Sequence, residues 1–279
     1  MKFIFVFIFA TVLAKTNYSQ TTYTFIGNGN WTISGNWNNN MIPPNPLPNG
    51  STIYISSQPG DSCVLNIQQT ISQGAGLIVS TGANFVVPGG FIIDGPVSIC
   101  NQVWMTKNLD ITTYRNGDSI PHVSDSAEWA NLTSGAWCYY NNDPNNRNVY
   151  GKLYNWYAVI DPRGLAPQGW HIPSDSEWTT LSTCLGGTSV AGGAMKEVGT
   201  THWISNVGAT NSSNFTALPS GFRSYVSKFD YLRFYTEFWS SSSFNIDLAW
   251  YRTVEYSSAY LKRNNTDKNY GFSVRCIKD

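Results

Sequence analysis

Behind Met1-Lys2, residues Phe3 to Ala14 form an apolar run too short to cross a bilayer, the pattern of a secretory signal covering residues 1–20. Residues 21–100 read differently. Short apolar runs, among them Ile53-Tyr-Ile55, Leu77-Ile-Val79, Phe85-Val-Val87 and Phe91-Ile-Ile93, are cut by Gly74, Gly76, Gly82, Gly89-Gly90 and Gly95. Apolar runs bounded by such turn residues predict short strands. From Leu77 the runs recur every six to eight residues, which predicts the rungs of a β-solenoid, with the Trp31 and Trp37 segment as its cap. A small β-sandwich is the competing reading.

Residues 101–279 predict one further domain. Strand-like runs fall at Val103–Met105, Trp137–Tyr140, Phe238-Trp239 and Ala249–Arg252. A closing strand over 270–277 is predicted because Phe272, Val274 and Cys276 alternate with Ser273 and Arg275. Ser174 followed three residues on by Glu177 is a capping box, and it predicts a helix over 174–185 ended by Gly186-Gly187. A second helix is predicted over 190–198, where Ala191, Met195 and Val198 share a face before Gly199. Tyr150–Val159 reads as either helix or strand. The loops between are long and polar, the kind that often carries binding.

Charge sharpens this picture. The 279 residues hold 17 basic and 17 acidic groups, and residues 21–100 contain no Lys or Arg and only Asp61 and Asp94 as acids. Charged residues are 12% of the chain, about half the usual share. Without a basic excess, nucleic acid is not an expected partner. Beside the 11 Trp, 16 Tyr and 14 Phe, the polar residues Asn, Ser, Thr and Gly carry solubility. This balance fits a rigid exported β-rich protein, and no transmembrane segment is expected in the mature chain. The five cysteines, Cys63, Cys100, Cys138, Cys184 and Cys276, form no C-x-x-C pair, and their odd number leaves at least one thiol over.

From Gln102 to the C-terminus the chain resembles the Fibrobacter succinogenes major paralogous domain family. The resemblance rests on Val103–Leu109, Trp137–Asp143, Tyr150–Ala158, Gly169–Trp178, Gly199–Trp203, Phe215–Pro219, Gly221–Arg223, Phe238–Ser241 and Gly271–Cys276. The family implies a surface or secreted domain and little biochemistry. The Gly169–Trp178 helix start and the closing Gly-Phe-x-Val-Arg run are also similar to the formylglycine-generating enzymes, which belong with C-type-lectin-like folds. That similarity implies an irregular α+β domain with two short helices, a small twisted antiparallel sheet and long loops. It also implies a bridge between the helix and the last strand, Cys184 with Cys276, or Cys138 with Cys276 in its place.

No catalytic constellation emerges. His122, His171 and His202 share no motif with a Glu or Cys at ligand spacing, and there is no G-x-S-x-G elbow. Formylglycine-type oxidation needs a reactive cysteine pair, and Cys276 stands alone in its run. The oxygen-rich loop Asn141–Asn148 does not follow the calcium-loop pattern, since Tyr154 holds the twelfth position counted with Asp143 as the first. Ordinary turn formation explains its Asn and Asp residues, so no cofactor is expected. Tryptophans at strand spacing read as core. Tyr140, Asn142 and Asp143, then Tyr256 and Tyr260, are the candidate ligand contacts. The expected function is an exported, non-enzymatic binding module for polysaccharide or a cell-surface partner. The alternatives are a structural or adhesive surface protein and an oxidase of the formylglycine-generating kind.

Overall fold

The computed structural model describes residues 21–48, 50–67, 69–71, 75–80, 82–86 and 93–279. The predicted signal segment lies outside them, as do Val87, Phe91-Ile92, Gly74 and Gly89-Gly90 of the predicted strand pattern. Among the described residues no helix is long and apolar enough to cross a membrane.

The first part of the chain is short strands: β1 (Thr22–Phe25), β2 (Gly29–Asn30), β3 (Thr52–Ile55), β4 (Ser62–Val64), β5 (Gln69–Thr70), β6 (Gly76–Val79), β7 (Asn84–Val86) and β8 (Ile93–Asp94). All their pairings are parallel. They form three ladders in the orders β1-β3-β6, β2-β4-β7 and β5-β8. Alternation drives this: Ile53 and Ile55 turn inward while Thr52 and Tyr54 stay half-exposed. The interior is one cluster holding Phe25, Trp31, Trp37, Cys63, Leu65, Leu77 and Phe85. Trp31 and Trp37, expected as a cap, are fully buried there, the Trp37 ring edge-on to both Phe25 and Trp31. Ser62 pairs with Asn84 and Gln69 with Ile93. The apolar runs six to eight residues apart are therefore successive sides of the chain's path, and a ladder partner is reached only after three such runs.

The second part opens with a hairpin of β9 (Pro96–Ile99) and β10 (Gln102–Met105). There follow α1 (Ser126–Ala130), β11 (Trp137–Cys138), α2 (Arg147–Tyr150), β12 (Leu153–Tyr154), α3 (Trp156–Val159) and β13 (Trp170–His171). Next come α4 (Asp175–Cys184) and α5 (Thr188–Met195), then β14 (Ser220–Arg223), β15 (Phe229–Leu232), β16 (Tyr235–Ser243), β17 (Leu248–Glu255), β18 (Leu261–Asp267) and β19 (Ile277–Lys278). One sheet has the order β13-β19-β10-β9 and another β15-β14-β16-β17-β18, the latter curled into a half-barrel. With few helices and many strands the architecture is α+β.

Strand alternation in β16 divides the core. Phe238 faces α4 and α5 in a cluster with Trp104, Trp178 and Phe215, while Trp239 faces the other way among Trp137, Tyr154, Trp156 and Phe272. Helix α4 starts as its sequence predicts. The Ser174 hydroxyl accepts from the Glu177 N–H at 3.3 Å and the Glu177 carboxylate accepts from the Ser174 N–H at 2.7 Å. Helix α5 begins and ends earlier than the predicted 190–198. At Lys196 the backbone turns extended, and its buried ammonium donates to the carbonyls of Val207, Glu255 and Ser258. Three carbonyls replace the water this cation gives up, which a helical continuation would forfeit.

Two further expectations are corrected. The segment 270–277 is not a continuous strand: Phe272 and Ser273 make isolated bridges to Tyr154 and Phe238, and only Ile277–Lys278 pairs as a strand. Arg275 explains the break, because its buried guanidinium donates to the carbonyls of Met105 and Phe215 and to Asn108 Oδ1. The disulfide joins Cys100, in the β9–β10 turn, to Cys184 at the end of α4. Neither Cys184–Cys276 nor Cys138–Cys276 is formed; Cys276, Cys138 and Cys63 are buried free thiols. Ile277 points toward α4, so its neighbour Cys276 points into the opposite cluster, away from Cys184.

Candidate functional site

The residues marked for ligand contact by sequence do not converge. Tyr140 is half-buried, its ring edge-on to Phe229 and its phenol pushed up by burial. Asn142 donates to the Ser124 carbonyl, and the Asp143 carboxylate accepts from both the backbone and side-chain N–H of Asn145. The 141–148 loop is thus a turn held by its own side chains. Tyr256 lies under Phe234, with ring centroids 5.2 Å apart. Tyr260 is exposed on the β17–β18 connection. Of these five, Tyr140 packs against the hairpin of the surface described next, through Phe229 and Gly221, and Tyr256 adjoins its row of rings at Tyr235.

That surface is a row of rings carried by the β14–β15 hairpin and the segment before Phe272. Arg223 anchors the hairpin: its buried guanidinium donates to the carbonyls of Val123, Ser124 and Asp125 and to the Ser227 hydroxyl. Ser224 and Ser227 close the turn through their backbone bonds to Lys228 and to each other. The two residues between them, Tyr225 and Val226, are left outside, each 50% exposed. Tyr225 rests on Tyr270 at 5.8 Å, Tyr270 on Phe222 at 5.9 Å, and Phe222 on Tyr231 at 5.6 Å. Successive planes differ by 43°, 51° and 34°, so the four rings form a curved shelf rather than a closed edge-to-face cluster. Beyond Tyr231 the packing changes. Tyr235 meets it edge-on at 85° and Tyr256 continues edge-on at 78°, which closes the row.

Tyr231 is 52% exposed and holds a left-handed backbone, φ 63°. For a non-glycine residue that conformation costs about 1–2 kcal/mol. Gly221, opposite it in the hairpin, is also left-handed, and a Cβ there would lie 2.6 Å from the Tyr140 ring and 2.7 Å from the Asp230 carbonyl. The core thus fixes one side of the hairpin while strain is retained on the exposed side. Strain kept at an exposed aromatic points toward function rather than packing.

Glu237, 5% exposed, lies on the same face of β16 as Tyr235. Burial lifts its carboxyl to about 8, so it is protonated at neutral pH. One carboxyl oxygen has no partner. Burial, and after it Glu237, pushes the Tyr251 phenol up to about 12.

At the Tyr225 end the shelf opens into a cavity of about 260 Å³ walled by Tyr157, Asp247, Asp267, Lys268 and Asn269. A larger cavity, about 550 Å³, lies beside β9, β10 and β13, lined by Ala75, Pro96, Met105, Leu109 and Trp170. Two of its polar groups are already engaged: Lys152 and Arg147 hold Asp110, and Asn108 holds Arg275.

The histidines and thiols serve the frame. His171 is bonded to Glu177 and Asp279, His202 to Glu197, and His122 stacks on Trp137 at 4.2 Å. Burial pushes the Cys276 and Cys138 thiols up to about 12, the opposite of what a thiolate nucleophile needs. Among the described residues no group of three or more His, Cys, Asp or Glu side chains is arranged to hold a metal.

Shelf and fold together define an α+β domain that offers a surface of aromatic rings. Residues 97–278 match the Fibrobacter succinogenes major domain, and the chain belongs to that family. No curated protein and no solved structure matches it.

Proposed function

We propose that this protein is an exported, non-enzymatic binding module that recognises polysaccharide through the shelf formed by Tyr225, Tyr270, Phe222 and Tyr231. The observation that carries the reading is an arginine-anchored hairpin that leaves Tyr225 and Tyr231 about half exposed, with the partly buried Tyr270 and Phe222 between them and a strained backbone kept at Tyr231. Rigid aromatic faces supply large contact area at low entropy cost, and sugar rings present flat C–H faces to meet them. Export is supported by the apolar N-terminal run, and the Cys100–Cys184 bridge accords with an oxidising compartment. In the same reading the three parallel ladders are coils of a short β-solenoid, and the domain after it is lectin-like, with α4 and α5 backing the curled sheet.

The test is retention on a panel of insoluble polysaccharides. The intact protein is expected to be retained on at least one of them, and Phe222→Ala and Tyr231→Ala to wash through. Failure of the intact protein on every polysaccharide, with self-association in sizing, would favour an adhesive role. The Phe244 and Ile246 hairpin tip, with Ile246 87% exposed, is the surface that reading would use.

A further inference from the structure

We propose that the cavity at the Tyr225 end of the shelf is a subsite for the terminal sugar of a glycan chain, and that it selects a cationic amino sugar over neutral and acidic ones. This rests on the polysaccharide reading and names the chemistry of the chain end. Continuity is the first argument. Tyr225 lines the cavity and also stacks on Tyr270, so a chain lying along the shelf runs into it. Size is the second. At about 260 Å³ the space lies below the range of drug-sized ligand sites and suits a single ring.

Charge supplies the selectivity. Asp247 and Asp267 both line the cavity and are exposed, and among the described residues neither carboxylate has a hydrogen-bond or ion-pair partner. The cavity's one lysine, Lys268, is held by the carbonyls of Asn245 and Ile246 and stands 4.7 Å over the Trp156 ring; its charge offsets one of the two carboxylates, so the lining stays net negative. Burial raises the Tyr157 phenol, and the charges of Asp247 and Asp267 add to that rise, so both carboxylates act on the space beside its hydroxyl. An ammonium group entering here meets two unpaired carboxylates and two tyrosine rings, the surroundings that favour a cation. A uronate or sulfate meets the same carboxylates as repulsion.

Glucosamine, cello- and galacturonate oligomers of equal length, titrated into the intact protein near neutral pH by calorimetry, test the inference. The glucosamine oligomer is expected to bind about tenfold tighter than the cello-oligomer, and the galacturonate oligomer more weakly than either. In the Asp247→Asn, Asp267→Asn double variant the ratio of glucosamine-oligomer to cello-oligomer affinity should fall to about one. Tyr225→Ala should weaken all three. Equal affinity for the glucosamine and cello-oligomers, or galacturonate binding as tight as either, would overturn the inference and leave the shelf reading standing. Absence of binding by every oligomer would overturn both.

Discussion

Tyr231 packs on Phe222 at 5.6 Å from a left-handed backbone position, φ 63°, opposite a glycine that no other residue can replace without moving Tyr140. The ring's placement is therefore set against the local preference of its own backbone. Tyr231→Gly is expected to be more stable than Tyr231→Ala by about 1 kcal/mol, because glycine adopts this conformation freely. Both should lose polysaccharide retention equally. Denaturant unfolding beside a retention assay checks the pair; an alanine variant as stable as the glycine one would mean the backbone is not strained.

The disulfide gives a count as well as a stability. Denatured without reductant, the chain should yield three free thiols, those of Cys63, Cys138 and Cys276. Cys184→Ser should lower stability by about 2–4 kcal/mol, since it frees the β9–β10 turn from the end of α4. Thiol titration and chemical denaturation read the two effects separately.

Glu237 predicts a pH dependence. Its folded carboxyl titrates at about 8, above the ordinary carboxyl value, so the folded state holds a proton that the unfolded chain releases. The stability tied to that proton is complete below the unfolded value and is lost progressively as pH rises toward 8. Glu237→Gln should remove this decline and be roughly 1–3 kcal/mol more stable than the native chain at neutral pH. Unfolding free energies measured across that range, with parallel curves for the two proteins, would contradict the assignment.

His171 titrates with the same sign. Burial works against its charged form, but hydrogen bonds to Glu177 and Asp279 outweigh it, and the net shift is upward. The imidazolium ties the start of α4 to the C-terminus. That stability is present below the ordinary histidine value and is lost as pH rises through the raised one. The thermal midpoint of the native chain should fall over that interval, and that of His171→Gln should stay level.

The capped start of α4 was legible in the sequence because both partners lie within four residues and their chemistry is local. Burial of Trp137 and Trp239 was legible for a similar reason, since spacing decides which side of a strand they take; Trp250 takes the other side of β17 and is only half-buried, under Arg263. The end of α5 was not, because it is set by the Lys196 ammonium and carbonyls far along the chain. Disulfide pairing failed on the same ground, since Cys100 and Cys184 meet only through packing of the β9–β10 hairpin against α4. The shelf escaped notice because its hairpin carries Ser227, Tyr231 and Arg233 in left-handed positions, where Gly or Asn would have signalled turns. Its one sequence clue was the density of aromatics between Phe222 and Tyr235 in an otherwise polar stretch.

Hydroxyl-radical footprinting of the protein free and bound to a polysaccharide that retains it tests the shelf most directly. Tyr225 and Tyr231 should lose reactivity on binding, while Tyr260, equally exposed but away from the shelf, should not change. Protection of Tyr260 or Tyr140 with Tyr225 and Tyr231 unaffected would contradict the account.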